Sequence, residues 1–167
     1  MPESCLTQPK MLDDMLLYRL WQLQSRAGRT VIRLCEGEFG ITRREWRLLA
    51  QLAREEGVLS SQLAERADLD RVRTSRTLGT LARKGLVVRT PRPGDRREVR
   101  VHLSEPGRAL YAALLPRVAA INQALVGVLA PHEASVLEGF LARLQAQAEA
   151  MGSQPRSATP SRPRPSA

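Results

Sequence analysis

The sequence is short of aromatics, lysine, cysteine and histidine, and each shortage closes off a class of reading. Aromatics make up 4% of 167 residues, so aliphatic side chains must fill any core. Lys10 and Lys84 are the only lysines, so the basic charge is almost wholly arginine. A guanidinium forks onto a phosphate or a guanine edge, which an ammonium cannot do; a GC-rich genome is the other source of that ratio. Two cysteines, Cys5 and Cys35, make no disulfide framework. The two histidines, His102 and His132, fall on different predicted elements, and no Cys/His cluster has ligand spacing, so no metal is predicted. The opening MPESCLTQPK has no apolar signal core, and no stretch reads as approaching the roughly 20 apolar residues of a membrane span. These absences predict a reduced, cytoplasmic protein with no membrane partner. There is no phosphate-cradling glycine loop, nucleophile elbow or metal motif, so no enzyme and no cofactor are expected. The carboxylate pairs Asp13-Asp14 and Glu55-Glu56 read as solvated helix turns.

What is present is a hydrophobic fraction of 43%, a net charge of +9 and a pI near 11.0. The length suits one domain with tails. The charge points to a polyanionic partner, a nucleic acid or an anionic membrane surface.

Apolar residues recur by threes and fours at Leu12, Leu16, Leu20, Leu23, Ala27, Val31 and Leu34, one face of a long helix that breaks at Gly37 and Gly40. Thr42 to Glu45 reads as a capping box opening a second helix, with Trp46, Leu49 and Leu52 inward and an end near Gly57. Ser60 is read as the cap of a short third helix carrying Leu63, Ala64 and Ala67. After an Asp68-Leu69 turn, Asp70 caps a fourth helix, Arg71 to Lys84, with Leu78 and Leu81 inward and Gly85 past its end. Leu86–Arg89 and Val99–Leu103 read as two strands around a Pro93-Gly94-Asp95 turn. Ser104 caps a long helix with Leu110, Leu114, Val118, Ile121, Leu125 and Leu129, which Pro116 should kink. A last helix starts near Pro131 and is expected to bury Leu137, Phe140 or Leu141, Leu144 and Ala148.

The fold class is therefore mainly α with a small β-hairpin: two short helices joined by a tight turn, then a basic hairpin, which is a winged helix-turn-helix. In that motif the second short helix enters a major groove and its neighbours hold the backbone. The charge lies accordingly. Between 66 and 100 there are eleven basic and four acidic side chains, leaving +7 of the chain's +9. Arg71, Arg73, Thr74, Arg76, Thr77 and Thr80 are the candidate DNA contacts of the fourth helix, although Thr74 also suits an inward position.

The stretch from Leu59 to Tyr111 resembles the MarR family of bacterial transcriptional regulators. The pieces are Ser75-Arg76, Lys84-Gly85-Leu86-Val87, Asp95-Arg96-Arg97 and Leu103-Ser104-Glu105-Pro106-Gly107-Arg108, in order. The resemblance extends over about residues 12 to 150. It implies a homodimer whose long first and last helices intertwine, with two winged motifs facing major grooves about 34 Å apart on a pseudo-palindromic operator. It makes Arg97 the wing residue of the minor groove and Asp95 the partner that orients arginine at the tip, with Arg92 and Arg96 flanking on phosphates. The domain layout implied is a flexible tail over 1–10, a MarR-type domain over 11–151, and a disordered Pro/Ser/Arg-rich tail over 152–167. Within that domain the winged motif spans about 41–103, and the dimerisation helices about 11–36 and 104–151.

Members of this family typically repress and are released by a small molecule or an oxidant. Residues 39–47 and 70–76 look most like members answering to aromatic acids or their thioesters. Ser25, Arg26, Trp46 and Arg47 are then the candidate ligand contacts, an arginine for a carboxylate and a tryptophan for a ring. Trp46 has a plainer reading as core, and Arg47 as a surface or phosphate contact. Redox sensing through Cys35 or Cys5 is the alternative trigger. The rival from another class is a nonspecific architectural DNA-binding protein held by phosphates alone.

Overall fold

A computed structural model of the chain describes residues 4–66, 70–92 and 95–153, with side chains at all of these except 92, 95–98 and 153. The elements run α1 (Leu16–Glu38), α2 (Arg43–Arg54), β1 (Val58–Leu59), α3 (Ser60–Arg66), α4 (Arg71–Arg83), β2 (Val87–Arg92), β3 (Asp95–Leu103), α5 (Glu105–Val126) and α6 (Pro131–Ser153). A 3₁₀ turn, Leu12–Asp14, precedes α1. The chain is mainly helical with a three-stranded antiparallel sheet in the order β1-β3-β2. Val87 pairs with Leu103 and Pro91 with Val99, and the register becomes irregular between Pro91 and Arg92. By its internal contacts the chain divides into two units, Met1–Leu125 and Val126–Ala167.

The core lies in the first unit. Ile41, Leu48, Leu49 and Leu52 meet Leu63, Leu78, Leu81, Val101, Leu103 and Leu114, all fully or almost fully buried. Local sequence explains how the elements meet there. The capping box is present: Thr42 Oγ1 accepts from Glu45 N at 3.2 Å, and Thr42 N donates to Glu45 Oε2 at 2.6 Å. Asp70 Oδ1 accepts from Arg73 N at 2.8 Å and opens α4. Gly85, at φ +69°, closes that helix. Gly85 N donates to Ala82 O and Leu86 N to Leu81 O, the paired bonds of a Schellman ending. Ser104 Oγ accepts from Gly107 N at 3.0 Å and donates to Gly85 O at 2.5 Å, so one hydroxyl caps α5 and ties it to the end of α4.

Several sequence expectations need correction. The first helix runs through Gly37 and ends at Glu38; the break is at Gly40, at φ +62°, a left-handed backbone that glycine adopts without strain. Ser60 is the first residue of α3 rather than a cap seen to bond, and Gln62 Oε1 instead accepts from Leu59 N at 3.0 Å. Leu86 belongs to the Schellman turn, and the hairpin strands are longer than expected. A third strand, β1, escaped the sequence because two residues are too few to show a period; Val58 pairs with Val101. The α5 helix stops at Val126, before Leu129. It is also, by length and composition alone, apolar enough to cross a membrane, with a mean hydropathy of 1.4, contrary to the expectation that no stretch came close. Its apolarity is spread over many alanines, and Arg117 near its middle forms a two-bonded ion pair with Glu38 of α1 at 2.6 and 2.9 Å. The largest departure is burial. Leu12, Leu20 and Leu23 before and along α1 are exposed, as are Leu137, Phe140, Leu141, Leu144 and Ala148 on α6, which the periodicity had placed inside. The Asp68-Leu69 and Pro93-Gly94 turns and the tail from 154 onward lie outside the described residues.

Candidate nucleic-acid interface

On α4, Thr74, Leu78 and Leu81 are fully buried. At about 100° per residue these three define the inner line of the helix. The opposite line, within roughly 30° either way, is Val72, Arg76 and Arg83, with Gly79 roughly 50° to one side. Val72, Arg76 and Arg83 are exposed, and a Cβ built on Gly79 would meet open space. Arg71 and Arg73 are exposed on either side of this line, and Ser75 is exposed beside it.

Thr74 is therefore a correction. The sequence offers it as a DNA contact or an inward residue, and at 0% exposure it is the inward one: it faces the core and cannot reach a groove. Its hydroxyl has no hydrogen-bond partner among the described residues, so it sits where an aliphatic side chain would serve as well. Thr77 and Thr80 are half-buried on the flank turned towards the start of α2. Their hydroxyls donate to Arg73 O at 2.8 Å and Arg76 O at 3.3 Å, one turn back on their own helix. With Arg76, Thr42, Arg44 and Glu45 they line a hollow of about 220 Å³. Arg44 entered the sequence reading only within the cap and the 39–47 stretch; the convergence of α2 and α4 gives it a place on this surface, which sequence distance concealed.

The basic charge is less free than the count implies. Arg66 is forked onto Glu55 at 2.6 and 3.2 Å, and Arg71 meets Glu65 at 2.5 Å. Both pairs are well exposed, so each is worth little and can open to a phosphate. Lys84 is committed to structure: Nζ donates to Gly40 O at 2.8 Å and to the buried Glu45 carboxylate at 2.9 Å, locking the start of α2 to the end of α4. Arg100 donates to Gly57 O at 2.8 Å and braces the base of the sheet. Arg89 is exposed on β2. The side chains of Arg92, Asp95, Arg96 and Arg97 lie outside the described residues; their backbones belong to β2 and β3.

Of the four ligand candidates, Ser25 is half-buried and Arg26 exposed on α1, and Arg47 is exposed on α2. Trp46 is 8% exposed and stacks on Tyr111 at 5.4 Å, so its ring is taken up by core packing. None of the four lines the cleft of about 500 Å³ that lies between α1 and α5, lined by Thr30, Arg33, Leu34, Glu38, Pro116, Arg117, Ala120 and Ile121. Cys35 is fully buried; burial, then Glu36, pushes its thiol above the ordinary range, against a weaker opposing pull from Arg43. That is the reverse of a reactive thiolate. Cys5 is exposed.

The sequence model of the MarR family matches residues 39–98, the stretch that carries this surface. A putative transcriptional regulatory protein for the hcr operon of Thauera aromatica is 31% identical over 130 residues, covering 78% of each chain. The chain belongs to the MarR family. It is a DNA-binding transcriptional regulator and not an enzyme. Among solved structures, the transcriptional repressor CouR bound to a 23-mer DNA duplex is similar at a TM-score of 0.72 and 27% identity, over 80% of this chain and 94% of that one. The PcaV regulator of Streptomyces coelicolor, in complex with its natural ligand, is similar at 0.67 and 25%, over 89% and 99%. The winged helix-turn-helix read from the sequence is thus the fold of this MarR-type chain, with α3 and α4 as the two short helices and β2–β3 as the wing.

Proposed function

We propose that this MarR-type regulator is a cytoplasmic, homodimeric, sequence-specific repressor that a small aromatic acid or its thioester releases from a pseudo-palindromic operator. The observation that carries the DNA half is the outer line of α4, where Arg76 stands opposite a fully buried inner line, flanked by Arg71 and Arg73. Arg76 suits a bidentate guanine contact. Arg71, Arg73 and, on the hollow beside α2, Arg44 suit phosphates, with Thr77 and Thr80 flanking. Arg92, Asp95, Arg96 and Arg97 are assigned to the wing, with Arg97 in the minor groove and the others at its tip and flanks; a narrow A·T-rich groove would favour arginine there. The dimer is supported by the apolar α1 and α6 faces that a single chain leaves in water.

Release by an acid is supported by the resemblance of residues 39–47 and 70–76, and by PcaV, a relative with a natural ligand. Ser25, Arg26 and Arg47 remain the proposed contacts, with Trp46, stacked on Tyr111, reduced to support behind them. The α1–α5 cleft is a second candidate seat, since Arg33 and Arg117 stand among apolar Leu34, Pro116, Ala120 and Ile121 in a volume usual for small ligands. Burial disfavours Cys35 as a redox trigger. The test is a gel shift on the DNA upstream of the chain's own gene, with random DNA as competitor at fixed salt, repeated with a panel of aromatic acids and their thioesters. The proposal expects retention against competitor and loss of the shift with one compound. A shift that no compound alters removes the aromatic-acid trigger. A shift that random DNA competes equally points to a nonspecific architectural protein.

A further inference from the structure

We infer that Val72 is a specificity-determining residue, reading the 5-methyl group of a thymine in each operator half-site. The inference rests on the chain's binding DNA through α4. In the described part of residues 39–103, only two large apolar side chains are exposed, Val72 at 58% and Val88 at 50%. Val88 lies on β2, at the root of the wing. Val72 lies in the first turn of α4, on the line opposite Thr74, Leu78 and Leu81, one helical turn before Arg76.

Among the described residues, nothing in the free chain rewards valine at that position. At 58% exposure it stands outside the buried core, and a β-branched residue gives up rotamer freedom in a helix that alanine or leucine would keep. Its neighbours Arg71, Arg73 and Arg76 are exposed and basic, so the outer side of the first turn is solvated before DNA arrives. The major groove offers one apolar feature, the thymine methyl, and a branched aliphatic of valine's size packs against it. Val72 and Arg76 are about 6 Å apart along the axis, so the methyl and the guanine edge would be read by successive turns of one helix. Gly79, beside that line, projects no side chain, which lets the second and third turns approach the base edges without obstruction on that side.

The test begins with an operator obtained by selection from random duplexes with the full-length protein. Each thymine is then replaced in turn by deoxyuridine, which deletes only the methyl, in both half-sites together. Binding of the wild type and of Val72→Ala is measured by anisotropy on every duplex. One symmetric thymine position should cost the wild type about fourfold per half-site, the worth of one buried methyl, and cost Val72→Ala nothing. No methyl-sensitive thymine, or one equally costly to both proteins, overturns the inference while leaving the chain a sequence-specific binder. Failure of the selection to enrich any sequence overturns both. Val72 is exposed, so unchanged thermal unfolding of Val72→Ala is expected and separates lost readout from lost fold.

Discussion

The winged motif and the long helices treat their apolar residues in opposite ways. From Ile41 to Leu103 nearly every large aliphatic is inside, the caps are formed, and even Lys84 is spent on a buried carboxylate. Along α1 and α6, large apolar residues at the same helical spacing stand in water: Leu20 at 37%, Leu23 at 51%, Phe140 at 53% and Leu144 at 44%. The first region is complete in one chain. The second carries a patterned surface that water does not reward, and exposed patches of that kind mark association. Periodicity therefore reports that a face will be covered without saying by which chain.

The largest expected effect falls on the open region. Phe140→Asp with Leu144→Asp should turn a two-chain species into a single chain in sedimentation, and weaken operator binding by about 10²-fold or more as the linked second half-site is lost. The winged motif should stay folded, since neither residue contributes to its core. A two-chain species that persists would place the interface elsewhere.

The closed region should break through its tightest junction. A Cβ on Gly107 would lie 2.0 Å from Leu86 O, where the start of α5 rests on the turn after α4. In a free helix, glycine to alanine stabilises by about 1 kcal/mol. Here Gly107→Ala should instead destabilise by about 3 kcal/mol or more, lowering the unfolding temperature by roughly 8 °C. A rise in that temperature would show that the junction has slack.

Much of this was legible in the sequence, and the parts that were not share a cause. Thr42 with Glu45, Asp70, Gly85 and Ser104 announced helix ends because capping is local chemistry within three or four residues. Leu49, Leu78 and Leu81 announced the core by spacing alone. The β1 strand, the meeting of Arg44 with Thr80, and the Trp46–Tyr111 stack depend on partners far along the chain, which spacing does not encode. Thr74 was misplaced for a related reason: residue type suggested a groove contact, while the wheel defined by Leu78 and Leu81 already pointed it inward.

Smaller effects sharpen the contrast within α4 and the wing. Arg76→Ala and, on the wing, Arg97→Ala should each weaken operator binding by about tenfold while leaving thermal unfolding unchanged, the scale of one lost specific contact. Equal weakening on random DNA would reassign that arginine to phosphate. In native protein a thiol reagent should modify Cys5 quickly and Cys35 only as the chain unfolds, since burial both shields the Cys35 thiol and keeps it protonated; rapid labelling of both would restore the oxidant reading. The smallest effect is expected at Thr74. Replacing it with valine removes an unpartnered buried hydroxyl, so stability should stay the same or rise by up to about 1 kcal/mol, with DNA binding unaltered.

The most direct measurement is a titration of fluorescent operator duplex by the purified full-length chain at physiological salt, with stoichiometry read at high concentration and competition by random duplex read at low concentration. The account predicts two chains per operator and a preference over random DNA of about 10³ or more. One chain per operator, or a preference near unity, would contradict it.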